Sequence, residues 1–185
     1  MTVAAVVLAA GGGTRFVGPE HKLLTGFRGR PLVTWALEAA QGASLDEVAV
    51  IVGAVDLKEA VPAGVSIVAN PLWATGQASS LQVALDWARE RRHEAIVVGL
   101  GDQPLIPPRA WSDVAASASP IAVATFDGRR RPPVRLHCSV WPLLPTDGDE
   151  GARVLMGSRP DLVSEVVSEG QPVDIDNEED LNRWS

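Results

Sequence analysis

Strands alternating with helices through about residue 125 predict a three-layer α/β/α sandwich on a mostly parallel, Rossmann-like sheet. Three observations carry this reading. The runs Val3–Ala10, Glu47–Gly53 and Ala95–Leu100 are almost continuously apolar, as strands covered on both faces are. The stretches between them, Pro31–Gln41 and Gln77–Arg92, have helical periodicity. Gly11-Gly12-Gly13 and Asp102 each follow the carboxyl end of a strand, where such sheets bind their ligands. A chain of 185 residues, 46% hydrophobic and 21% charged, is enough for one core, so a single domain over residues 1–185 is expected.

Each element has its own local reason. Val3–Ala10 is a strand by length and apolarity, ended by glycine. Pro31 suits the first turn of a helix whose Leu32, Trp35 and Leu37 lie near one face. Glu47–Gly53 is the second strand, Asp56–Val61 a short helix, and Val65–Ala69 the third strand. Leu81, Leu85 and Ala88 give Gln77–Arg92 an inner face. Ala95–Leu100 runs directly into Gly101-Asp102-Gln103-Pro104. Arg109–Ala118 is expected as helix and Ile121–Thr125 as strand. Pro132–Cys138 reads as a strand whose prolines favour an edge. Gly151–Gly157 is a short helix, Val163–Val167 and Pro172–Ile175 short strands, and Asn177–Trp184 a helix capped by Asn177.

Composition narrows the function. A net charge of −7 disfavours a nucleic-acid surface but leaves room for a local anion pocket. The single cysteine, Cys138, excludes an internal disulfide framework and a Cys-rich metal site. The N-terminal apolar stretch is far short of the ~20 residues that span a bilayer and lacks a signal-peptide pattern, so a cytoplasmic protein without membrane contact is expected. Trp111, Trp141 and Trp184 suit either a core or an interface, and a monomer or weak homo-oligomer is expected.

The glycine cluster fails two familiar tests. After Gly11 and Gly13, Phe16 stands where a dinucleotide fingerprint needs glycine or alanine, and no carboxylate closes the second strand. This disfavours an NAD-dependent oxidoreductase. Gly13 and Gly18 have P-loop spacing, but Pro19 follows instead of lysine. The loop still has the physics of an anion site. Its glycines let backbone N–H groups approach a ligand, and Arg15 and Lys22 add positive charge.

Leu8-Ala9-Ala10-Gly11-x-Gly13-x-Arg15-Phe16, then Lys22-Leu23-Leu24 and Gly29-Arg30-Pro31-Leu32, resembles the signature of the MobA-like nucleotidyltransferases. Further blocks continue the resemblance: Asn70-Pro71-x-Trp73-x-x-Gly76-Gln77-x-Ser79-Ser80, Gly101-Asp102-Gln103-Pro104, Gly148-Asp149-x-Gly151-Ala152-Arg153 and Asp174-Ile175-Asp176-Asn177. It spans nearly the whole chain and looks most like the molybdenum cofactor cytidylyltransferase branch. There are departures: Gly13 replaces the usual serine, the gap from Arg15 to Lys22 is longer than in the common pattern, and Asn177 replaces threonine.

The resemblance implies a nucleotide-diphospho-sugar transferase type of fold, with residues 1–105 holding nucleotide and 106–185 holding acceptor. It implies transfer of CMP from CTP to molybdopterin, the molybdenum cofactor, with release of pyrophosphate. Leu8, Ala9, Ala10, Gly11, Gly12, Gly13, Thr14, Arg15, Lys22, Asn70, Ser79 and Ser80 would bind nucleotide, and Arg15, Lys22 and Asp102 would be catalytic. Asp102 and Asp176 would hold Mg²⁺. Ala10, in place of the glycine of guanine-using relatives, would narrow the base pocket. Asp174 and Asp176 share a face if their segment is a strand. They either complete the metal site or contact acceptor; alternatively Asp176 caps the last helix and Asp174 is solvated. His21 reads as a loop residue, and His137 as either an acceptor-pocket or a satisfied histidine. A molybdenum hydroxylase is a possible partner. The competing functions are transfer to a sugar or alditol phosphate, or to another phosphorylated acceptor, and a non-catalytic carrier of the molybdenum cofactor.

Overall fold

Alternate residues of β1 (Val3–Ala9) pack on opposite faces of the sheet, which is why its sequence shows no polar face. Val3, Ala5, Val7 and Ala9 join one hydrophobic cluster, and Ala4 and Val6 the other. The structure, a computed structural model, describes residues 1–18 and 20–185. After β1 and the glycine loop come a small hairpin, β2 (Gly26–Phe27) and β3 (Arg30–Pro31), and helix α1 (Leu32–Gly42). Then follow β4 (Glu47–Val52), β5 (Val65–Ala69), α2 (Gln77–Glu90), β6 (Ala95–Leu100), α3 (Pro108–Ala115), β7 (Ile121–Phe126) and β8 (Arg129–His137). The chain ends with α4 (Arg153–Ser158), β9 (Val163–Val167) and α5 (Glu178–Trp184).

The main sheet has the order β5-β4-β1-β6-β8-β7-β9, parallel throughout except for β8. Helices α1 and α3 cover one face through Val33, Leu37, Trp111 and Val114. Helix α2 covers the other with Leu81, Ala84, Leu85 and Ala88, beside Trp141. The expected three layers and mostly parallel sheet are present. Trp111 and Trp141 are buried in these two cores.

Three local expectations need correction. The short helix expected at Asp56–Val61 is a single 3₁₀ turn at Lys58–Ala60. Strand β8 is interior, not an edge, because the sheet adapts to its prolines. The β7–β8 register shifts between Val123 and Ala124, opposite Pro132 and Pro133, and β6 pairs with β8 only as far as Val134. Neither proline is therefore needed as a ladder donor. Finally, Pro172–Ile175 is no strand. It crosses the carboxyl ends of the parallel strands, where the Ile175 N–H donates to the Asp102 carbonyl at 3.0 Å. Ile175 is fully buried against Phe27 and Leu32. That apolar anchor carries the C-terminal aspartates to the rim of the sheet. Asn177 caps α5 as expected, accepting from the Asp180 N–H at 2.8 Å.

Candidate active site

The carboxyl ends of β1 and β6 open into a cleft of about 540 Å³. Its lining includes the whole run from Leu8 to Thr14, with Lys22, Ser80 and Asp102. The parallel strands bring these distant residues together: Gly101 N–H donates to the Leu8 carbonyl at 3.0 Å, which sets Asp102 directly beside the glycine loop.

Lys22 stands at the start of a 3₁₀ turn pinned by buried Leu23. Its ammonium lies 2.8 Å from Asp102 Oδ2 and 3.0 Å from Asp176 Oδ1. Burial works against the charge on Lys22, but the Asp102 carboxylate and then Asp176 outweigh it and raise its pKa. The lysine stays charged at neutral pH. Arg15 approaches the same group from solvent, with its guanidinium 3.2 Å from Asp176 Oδ2. Charges from three separate parts of the chain thus meet at one point.

Asp102 and Asp176 also suit a divalent cation. Both present a hard carboxylate oxygen to one point, the donor type that Mg²⁺ and its neighbours accept alongside ligand phosphates. Among the described residues no group of three His, Cys, Asp or Glu side chains converges, so phosphate and water oxygens would complete the coordination. Asp174 and Asp176 do not share a face. Asp174 accepts from Gln103 Nε2 at 2.8 Å and lines a different cavity. Burial raises its pKa, partly opposed by the Gln103 hydrogen bond. Asp176 does not cap α5: Asn177 is the cap, and the Asp176 carboxylate is engaged by Lys22 and Arg15.

Asn70 and Ser79 stand behind the cleft wall. The Asn70 amide donates to Ser79 Oγ at 2.9 Å and Ser80 Oγ at 3.0 Å, while its Oδ1 accepts from the Leu72 N–H. Their polar atoms fix the start of α2, and only Ser80 of the three reaches the lining. Sequence reasoning gave no role to Trp73, although it belongs to the Asn70–Ser80 block. Its side chain closes the cleft by lying across Gly53, where a β-carbon would stand 2.6 Å from Trp73 Cβ and 2.8 Å from the Ala10 carbonyl.

A second cavity, of about 350 Å³, adjoins the first and shares Leu8, Gln77 and Leu100 with it. Leu81, Val98, Val123, Val134, Leu136 and Met156 give it apolar walls. Arg130, Arg131 and Arg153 also line it; Arg130 pairs with Glu165, whereas Arg131 and Arg153 have no carboxylate partner among the described residues. His137 and Cys138 lie at the opposite end of β6, where His137 pairs with Ala95.

Fold and site define a class: an α/β protein with a glycine-lined cleft at the strand ends and a lysine held between two carboxylates. Residues 5–163 match the MobA-like NTP transferase domain, and the chain belongs to that family. It is 30% identical over 197 residues to the nicotine blue oxidoreductase of Paenarthrobacter nicotinovorans, covering 98% of this chain and 95% of that protein. It is 31% identical over 147 residues to the molybdenum cofactor guanylyltransferase of Cereibacter sphaeroides, covering 77% of this chain and 70% of the relative. The chain spans about a quarter of the bifunctional protein GlmU of Cutibacterium acnes, to which it is 34% identical over 109 residues. Among solved structures, the manganese complex of Rv0371c from Mycobacterium tuberculosis H37Rv superposes with a TM-score of 0.83. It is 26% identical, with 100% of this chain and 98% of that one covered. The fold is therefore of the nucleotide-diphospho-sugar transferase type.

Proposed function

We propose that the chain is a Mg²⁺-dependent nucleotidyltransferase that transfers CMP from CTP to molybdopterin and releases pyrophosphate. The observation that carries this is the Lys22 ammonium held between Asp102 and Asp176 in the glycine-lined cleft. Such a group serves a reaction whose catalysis is mainly positioning and charge neutralisation. An acceptor phosphate oxygen attacks the α-phosphorus, the bond from that phosphorus to the bridging oxygen breaks, and pyrophosphate leaves with the electron pair. No proton need be removed, because the acceptor is already an anion. Lys22 and Arg15 neutralise charge on the triphosphate and the leaving group. Asp102 and Asp176 would hold the metal, which when bound supplies further neutralisation of the phosphate oxygens. The manganese complex of the structural relative supports divalent-metal use.

The adjoining cavities suit donor and acceptor, with residues 1–105 supplying most of the nucleotide cleft and residues 106–185 much of the acceptor side. Apolar walls beside Arg131 and Arg153 suit a flat heterocycle bearing phosphate, whose polar edges would meet Gln77, Gln103, Glu150 and Asp174. Ala10 and Trp73 line the cleft and would narrow its base side in favour of cytosine, while the guanylyltransferase relative makes GTP the main competitor. A molybdenum hydroxylase would be the recipient of the product.

The experiment is a pyrophosphate-release assay with each NTP, Mg²⁺ and molybdopterin, with an alditol phosphate as the rival acceptor. CTP and molybdopterin together should be the productive pair. Pyrophosphate from GTP alone overturns the base assignment, and none from any NTP with either acceptor overturns the proposal. The end-to-end match to an oxidoreductase favours a second reading, in which the two cavities hold a redox cofactor and a flat dye. NADH consumption with nicotine blue tests it in parallel, but the Lys22-bridged carboxylates would have no task in that reaction.

A further inference from the structure

The glycine loop is held from behind by a residue outside its motif. His21 Nε2 lies 3.1 Å from the Gly11 carbonyl oxygen. The other ring nitrogen, Nδ1, accepts from the Leu23 N–H at 3.3 Å and so caps the turn that carries Lys22. One neutral tautomer, protonated on Nε2, satisfies both contacts. Burial is the main cause that lowers the pKa of His21, and the adjacent Lys22 charge adds to it, with the Gly11 carbonyl pulling the other way. The imidazole is thus a rigid brace between the nucleotide loop and the lysine turn.

The same contact accounts for Gly13. This residue has φ +60°, and a β-carbon on it would stand 3.2 Å from His21 Nε2 and 3.3 Å from Lys22 Cβ. A serine there would be strained in its backbone and pressed against the imidazole. Position 13 gives up a hydroxyl, and the ring occupies the adjoining space.

We infer that His21 is a positioning residue: its Nε2–H clasps the Gly11 carbonyl and holds the triphosphate loop and Lys22 in one register. The inference rests on the nucleotide reading of the cleft. It joins Gly13 and His21 in one device, in which the residue without a β-carbon leaves the space that the bracing ring occupies.

Two substitutions separate the clasp from the cap. In His21→Gln the amide nitrogen reaches about as far as Nε2, so the Gly11 contact is kept and the cap is lost. In His21→Asn the short side chain keeps the cap and cannot reach Gly11. Each variant loses one hydrogen bond, so their melting temperatures should fall alike. Their kinetics should differ: His21→Asn should raise KM for the nucleotide about tenfold, with kcat and acceptor KM little changed, while His21→Gln stays near wild type. An unchanged nucleotide KM in His21→Asn, or an equal rise in both variants, overturns the inference. ¹H–¹⁵N NMR of the ligand-free wild type tests the clasp without any nucleotide. The Nε2–H tautomer is expected, and an Nδ1–H tautomer or an imidazolium at neutral pH overturns it. The NMR result does not depend on whether the protein proves to be a nucleotidyltransferase.

Discussion

The two cavities share a wall but are built on different principles. The larger one takes its lining from a continuous run, Leu8 to Thr14, and from Lys22, Ser80 and Asp102 at parallel-strand and helix ends. Its lysine is ion-paired, Lys22 with Asp102 and Asp176, with Arg15 reaching Asp176 from solvent, while Asp149 in the lining makes no ion pair among the described residues. The smaller one is walled by antiparallel β8, by the Glu150–Gly157 segment and by Asp174, and sets Arg131 and Arg153, which make no ion pair among the described residues, beside apolar walls and the Asp174 carboxylate, on which the Arg131 charge acts. A pre-paired cluster can exchange its internal contacts for those of a ligand and a metal. On the proposed reading, the difference assigns charge neutralisation to the first cavity and recognition to the second.

Asp102→Ala should break this division most severely. Lys22 would keep Asp176, so the fold should survive with a small change in melting temperature. Turnover should fall by at least about 10²–10³-fold, the scale of losing one preorganised electrostatic partner. Pyrophosphate release and thermal unfolding on the same preparation check both halves. Retained turnover would remove Asp102 from the chemistry. The double variant Arg131→Ala, Arg153→Ala sharpens the comparison from the other side. It should raise KM for the acceptor roughly 10–100-fold through lost charge-assisted hydrogen bonds and leave KM for the nucleotide unchanged. A rise in nucleotide KM instead would merge the two cavities into one site.

Gly13→Ser tests the loop itself. A left-handed residue with a side chain costs about 1–2 kcal/mol, and here the added atom also meets the His21 ring. At about 2–4 °C per kcal/mol for a chain of this size, melting should fall by several degrees. The nucleotide KM should rise rather than improve, even though serine is the more usual residue. A gain in affinity would show that the missing hydroxyl matters more than the brace.

The same contrast decides what could be read from the chain. The first cavity was legible because its parts are local: a strand, a glycine run and single residues just after strand ends. Asn70 and Ser79 were only partly legible, because the sequence does not show that their side chains engage each other and the backbone behind the cleft wall. The interior placement of β8 depends on a register shift opposite Pro132 and Pro133, a tertiary adjustment with no local signature. Pro172–Ile175 has a strand's alternation, but burial of Ile175 against Phe27 and Leu32 draws it across the strand ends instead. The second cavity gathers Gln77, Val98, Gln103, Arg131, Arg153 and Asp174 from separate elements, so no spacing announced it.

The smallest effect is a pH dependence confined to the first cavity. Burial holds the native His21 pKa below the ordinary histidine value, so the unfolded chain takes up the proton more readily. Stability from the neutral brace is then fully present above the ordinary value and is lost as pH falls through the lowered native one. Protonation removes the Nδ1 acceptor and with it the Leu23 cap, while Lys22 beside it opposes a second positive charge. Other titratable groups contribute to the whole-protein curve, so the wild-type curve alone is not diagnostic. Subtracting the curve of His21→Gln cancels that background, because the variant keeps the other histidines and has nothing at position 21 to protonate. The difference in melting temperature should narrow as pH is lowered, since the wild type alone loses this contribution. A difference that stays constant from neutral to mildly acid pH would mean that the ring carries no pH-sensitive share of the loop's stability.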